Sequence, residues 1–200
     1  MGSRIMHALI ANRIIDILHI KDRTSFLIGG IAPDAVTPKE ASHFFTGDVM
    51  DYSRSIDFYG FIYKYNHVKN SEYILGYYTH LIADDIWLKG FYLPWLRNRM
   101  DHDPKVYNQY HHDFHLLNAK LLNYYNVAEE LREHLSSKSA IIDLEEVSSA
   151  DVVEFLPHVI SDMDYTNNDL ESPLQVFTFD QIIGYIETSV ERGVLHIKQL

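Results

Sequence analysis

His80 and Asp84 stand four residues apart in a stretch, Gly76-Tyr77-Tyr78-Thr79-His80-Leu81-Ile82-Ala83-Asp84-Asp85-Ile86-Trp87, whose apolar residues recur at helical spacing. On a helix this spacing stacks the imidazole and the carboxylate on one face, where both can bind one divalent cation. The same spacing also occurs in ordinary exposed His–Asp pairs, so the chemistry depends on what else converges. His7 lies in a strongly apolar first segment and is expected to point inward. Asp34 ends an apolar run broken by Gly29, Gly30 and Pro33, and it needs a partner if that run is buried. His43 follows after a turn. Twelve histidines and no cysteine among 200 residues leave imidazole and carboxylate as the available metal ligands and exclude disulfides and thiolate sites.

The elements that must position these side chains read as helices. The first spans 3–20, with Ser3 as N-cap. Residues 26–35 read as a buried irregular segment. Thr37-Pro38-Lys39-Glu40 has capping-box spacing and predicts a short helix that delivers His43. A helix follows over 53–66, with Ile56, Tyr59, Ile62 and Tyr63 as its apolar face. The central helix covers 72–88, is interrupted at Lys89-Gly90 and is kinked at Pro94. Asp103-Pro104 opens a long helix to about 135 that carries His111, Asp113 and His115 as possible further donors. Helices over 150–161 and 178–192 flank an acidic loop. The expectation is a single all-α domain over residues 1–200, a multi-helix bundle.

The ordered set is His7 on the first helix, Pro33-Asp34, His43-Phe44, then Gly76-Tyr77 leading into His80-x-x-x-Asp84. It resembles the zinc-dependent phospholipase C family, in its small intracellular bacterial and phage-type group. The likeness covers about residues 1–90, with a further stretch at Asp113–Asn118. It implies the phospholipase C / P1 nuclease fold, one to three zinc ions or another divalent metal, and hydrolysis of a phosphodiester or phosphomonoester by metal-activated water. It further implies that Asp34, His43, His80 and Asp84 form one shell, and that Asp84 bridges to a second ion that also uses His7. Asp34 is then the candidate catalytic residue, ligating and accepting the water's proton. The family's later His…His-x-x-x-Glu set has only His111 and His115 as its nearest counterparts.

Seventeen basic against 28 acidic residues give a net charge of −11, which argues against general nucleic-acid binding. No 18-residue apolar run and no signal-peptide core are present, so a cytoplasmic chain is expected, and the resemblance implies a small-molecule or lipid phosphate ester as its substrate. Two other readings fit parts of the pattern. An HD-type phosphohydrolase needs an adjacent His-Asp pair, available at His102-Asp103 and His112-Asp113. A non-catalytic helical protein would keep the metal as a structural staple.

Overall fold

The structure is a computed structural model that describes residues 2–200. It is all-α. Among the described residues ten α-helices run in the order α1 (Arg4–Leu18), α2 (Arg23–Ile31), α3 (Phe58–Lys64), α4 (Glu72–Trp87), α5 (Arg97–His102), α6 (Lys105–Tyr125), α7 (Ala128–Ser136), α8 (Ser149–Ser161), α9 (Asn167–Glu171) and α10 (Phe179–Lys198). The strands are the two-residue β1 (Phe45–Thr46) and β2 (Ser55–Ile56), which pair antiparallel.

Helix α4 is the axis of the fold, packed by α1, α2, α3 and α10. Its residues are buried almost all round, from Tyr73 to Trp87, the pattern of a helix enclosed by others. Glycines set the closest of these contacts. A β-carbon on Gly29 of α2 would lie 2.1 Å from the Tyr73 carbonyl oxygen, and one on Gly76 of α4 would lie 2.1 Å from that of Phe26. The two backbones touch because neither position carries a side chain.

Ser3 caps α1 as its sequence predicts, accepting from the Met6 N–H at 3.3 Å, and Ser148 and Thr178 cap α8 and α10 with capping boxes. Several expectations are corrected. Residues 23–31 are regular helix despite two glycines, because Gly29 allows close contact with α4 and Gly30 with Ala11 of α1; a 3-10 turn, Ala32–Ala35, then carries Asp34. Thr37-Pro38 opens no helix. His43 instead sits in a turn held by its own N–H donating to the Lys39 carbonyl at 3.0 Å. The 53–66 helix shrinks to α3, since Ser55 and Ile56 pair with β1, and Tyr59 and Tyr63 are exposed while Phe61 and Ile62 are buried. The chain does not stop at Gly90: a π-helix, Leu88–Leu96, carries Pro94 on into α5. The long helix from 103 is split at Asn126, which adopts the left-handed conformation that ends α6. The acidic loop holds short α9, capped by Thr166.

Candidate metal centre

The five predicted donors converge. His7 comes from α1, Asp34 from the 3-10 turn, His43 from the following turn, and His80 and Asp84 from successive turns of α4. All are buried or nearly so: the side chains of His7, His43, His80 and Asp84 are 0% exposed and that of Asp34 is 5%. Two groups, His43–His80–Asp84 and His7–Asp34–His80, each bring donor atoms within 4.8 Å of one another and could hold a metal ion.

The tautomers follow from the surrounding hydrogen bonds. His80 Nδ1 lies 2.8 Å from the Gly30 carbonyl oxygen, which can only accept, so the proton is on Nδ1 and Nε2 carries the lone pair. His43 Nδ1 lies 2.9 Å from Ser42 Oγ, and the Ser42 hydroxyl donates to the Lys39 carbonyl at 3.3 Å. The Ser42 oxygen therefore accepts from His43 Nδ1–H. Each ring's proton is used on the outside of the cluster, as for histidines that bind a metal through Nε2. The two Nε2 atoms face each other at 3.3 Å. Between two neutral rings in these tautomers that is a contact of lone pair with lone pair, which a proton on His43 or a cation between the rings relieves.

The carboxylates complete the arrangement. His43 Nε2 is 3.2 Å from Asp84 Oδ2 and 3.4 Å from Asp34 Oδ1, and His80 Nε2 is 3.4 Å from Asp84 Oδ2. Four donors about 2.0–2.1 Å from one ion at tetrahedral angles stand roughly 3.3–3.4 Å apart. The separations among His43, His80 and Asp84 match that spacing, while Asp34 lies within reach of His43 and belongs to the second group, with His7 and His80. The other Asp84 oxygen, Oδ1, is 3.2 Å from His7 Nε2. Neither Asp84 oxygen nor either His7 nitrogen makes a hydrogen bond of proper geometry. Buried groups left in that condition cost stability and mark sites with another purpose. The His7 ring stacks on His80 at 3.8 Å, which fixes its plane. His80 has a single free nitrogen and so serves one ion. A second ion at His7 and Asp84 Oδ1 would have positions open to other ligands.

The cluster's charge is unusual. Burial raises the Asp84 carboxyl, but the imidazoles of His7, His43 and His80 outweigh it and hold it well below the usual carboxylate range. Burial likewise works against Asp34, and His43, Lys39 and His80 overcome it. Both carboxylates are therefore ionised and able to act as ligands. Burial pushes His80 down to about 4, which keeps it neutral. His43 moves the other way: burial lowers it, and contacts with Asp34 and Asp84 more than offset that and raise it. Lys39 forms an ion pair with Asp34 Oδ1.

Asp34 is also the link to the surface. It lines a cleft of about 470 Å³ together with Gly2, Ser3, Arg4, Lys39, His111 and other residues of α1, α6 and α8. Of the further donors, His111 and His115 line this cleft and do not belong to either metal-capable group. Asp113 points elsewhere: it accepts the backbone N–H groups of Gln175, Val176 and Phe177 at 2.8, 2.7 and 3.0 Å. The adjacent pairs His102-Asp103 and His112-Asp113 likewise form no part of the metal-capable groups found among the described residues. Sequence reasoning missed Ser42 and the Gly30 carbonyl. The only sequence cue was the position of Ser42 immediately before a candidate ligand.

Comparison with known proteins finds no matching family model, no matching curated protein and no matching solved structure. Among the described residues no helix is long and apolar enough to cross a membrane.

Proposed function

We propose that the chain is a metal-dependent phosphoester hydrolase, with zinc as the ion that best suits buried imidazole nitrogen and carboxylate oxygen donors this close together. The observation that carries the reading is the facing pair of Nε2 atoms on His43 and His80, flanked by two ionised carboxylates, one of which reaches an open cleft. An ion held there supplies Lewis acidity and lowers the pKa of a bound water from about 15.7 towards ~7. His43 and His80 offer neutral nitrogens whose orientation Ser42 and Gly30 maintain. Asp84 holds both sides of the cluster, one oxygen to His43 and His80 and the other to His7. Asp34 stands between cluster and cleft, where it can ligate and take a proton. Its low proton affinity makes it chiefly a ligand, and a useful proton acceptor only for water that is already acidified. Lys39 beside it favours a negatively charged ester in a molecule that is otherwise acidic. The cleft has the size of a small-molecule site or a lipid head-group site.

A structural metal is the second reading, and one observation favours it: the candidate donors are buried with almost no exposure. Asp84→Asn separates the two. The substitution keeps size and removes a charge. For the hydrolase, metal content falls, and activity on a panel of phosphodiesters and phosphomonoesters drops more than ~100-fold while helicity is retained. For a staple, the melting temperature falls sharply and the parent hydrolyses nothing in the panel. A parent that takes up no zinc and cleaves no phosphoester rejects both.

A further inference from the structure

The α1 and α6 end of the cleft holds polar groups that the metal centre does not use. Arg4 is held on two sides. Its Nε and Nη2 contact Asp162 at 2.6 and 3.0 Å, and its guanidinium lies over the Phe155 ring at 5.5 Å. This leaves Nη1 with no partner among the described residues, on a guanidinium that cannot swing away. Asn118 is 6% exposed, and its Oδ1 accepts from Ser3 Oγ at 2.7 Å. That bond turns the amide NH₂ to the cleft, where it has no partner among the described residues. His115 lines the same wall and is steadied by Asp169 at 3.3 Å. The first residues of α1, the positive end of a 15-residue helix, also line it. Arg4 and His7 are three residues apart on α1, so this wall stands about one helical turn, ~5 Å along the axis, from the metal centre.

We propose that Arg4, Asn118 and His115 form a second phosphoryl subsite, which recognises a phosphate group of the substrate other than the ester at the metal centre. The assignment rests on the hydrolase reading for the role of that group, but phosphate binding itself requires neither turnover nor metal. Asp162 reduces the net charge of the wall, so recognition comes from directed N–H donors rather than from bulk potential. A phosphate with several acceptor oxygens matches a guanidinium edge and an amide held side by side. The preferred substrates are then esters that carry a second phosphate, rather than lipids with a neutral or cationic head group.

The test is a titration of the full chain with inorganic phosphate at constant ionic strength, followed by the NMR signals of the Ser3 backbone amide and the His115 ring, both of which line the cleft and persist in every variant. It is done with metal loaded and again after chelation. The expected result is binding that survives chelation, weakens at least ten-fold in Arg4→Gln and in Asn118→Leu, and is unchanged in Arg132→Gln. The last variant removes a comparable exposed ion pair, Arg132–Asp164. Acetate should bind several-fold more weakly than phosphate. Binding that disappears on chelation places the anion on the metal and overturns the subsite. Binding unchanged in both cleft variants overturns it as well, and equal binding of acetate overturns the phosphoryl assignment. If Arg4→Gln does not fold, Asn118→Leu alone decides. If phosphate binds as expected and no phosphoester is cleaved, the hydrolase reading fails while the subsite stands.

Discussion

Gly76 on α4 sits so close to Phe26 on α2 that a β-carbon would be 2.1 Å from the Phe26 carbonyl oxygen. The contact lies one helical turn from His80, and the close packing around it lets the His80 ring reach the Gly30 carbonyl. Gly76→Ala must push the two helices apart, because the obstacle is backbone and cannot rotate away. The expected cost is at least ~3 kcal/mol, together with loss of metal affinity. Gly184 on α10 has nothing within 4 Å of its would-be β-carbon, so Gly184→Ala should stabilise by about 0.5–1 kcal/mol through helix propensity. Denaturant melts of both variants check the pair. A Gly76→Ala protein as stable as the parent would mean the helices do not touch there.

Ser42→Ala removes the acceptor that orients His43 Nδ1–H. Loss of such an outer partner costs metal affinity by roughly 10–100-fold, with a stability change near ~1 kcal/mol in the metal-free protein. Competition with a calibrated zinc chelator reads the first and a melt the second. Unchanged zinc affinity would argue that His43 is not a ligand.

Asp113→Ala should do the opposite. The carboxylate ties α6 to residues 175–177 through three backbone N–H groups. The variant leaves those donors buried and unpaired, at a cost of about 3–5 kcal/mol, with metal stoichiometry unchanged in the folded fraction. Loss of metal without loss of stability would return Asp113 to the site.

Metal uptake should release a proton from His43. Its folded-state pKa is raised, so in the metal-free protein this group contributes stability that is complete below the unfolded value of ~6.5 and is lost as pH rises through the folded value. His80, held to about 4, brings no proton to release at neutral pH. Zinc affinity should therefore fall as pH drops through the His43 titration, with up to ~1 proton displaced per ion. Calorimetry in two buffers of different ionisation enthalpy measures the number. Zero release between pH 6 and 7 would show that His43 keeps its proton or is not bound.

Local sequence made most of the helices and the candidate donors legible. The caps at Ser3, Ser148 and Thr178 and the four-residue step from His80 to Asp84 are properties of short stretches, and these survive in the structure. Local signals failed where a distant contact overrode them. Gly29 and Gly30 suggest a break by composition, yet they sit in a helix because α4 needs the missing side chain of Gly29 and α1 that of Gly30. Asp113 stands between two candidate histidines in sequence, yet it answers to backbone groups 62–64 residues away. The direction of each imidazole was likewise a tertiary decision. A ring's tautomer depends on what its outer nitrogen meets, and the partner of His80 is a main-chain oxygen 50 residues earlier that no side-chain pattern encodes. The cleft is the extreme case: Arg4, Asn118 and Asp162 share a wall only because α1, α6 and α8 pack together, and burial of their apolar faces places those ends side by side.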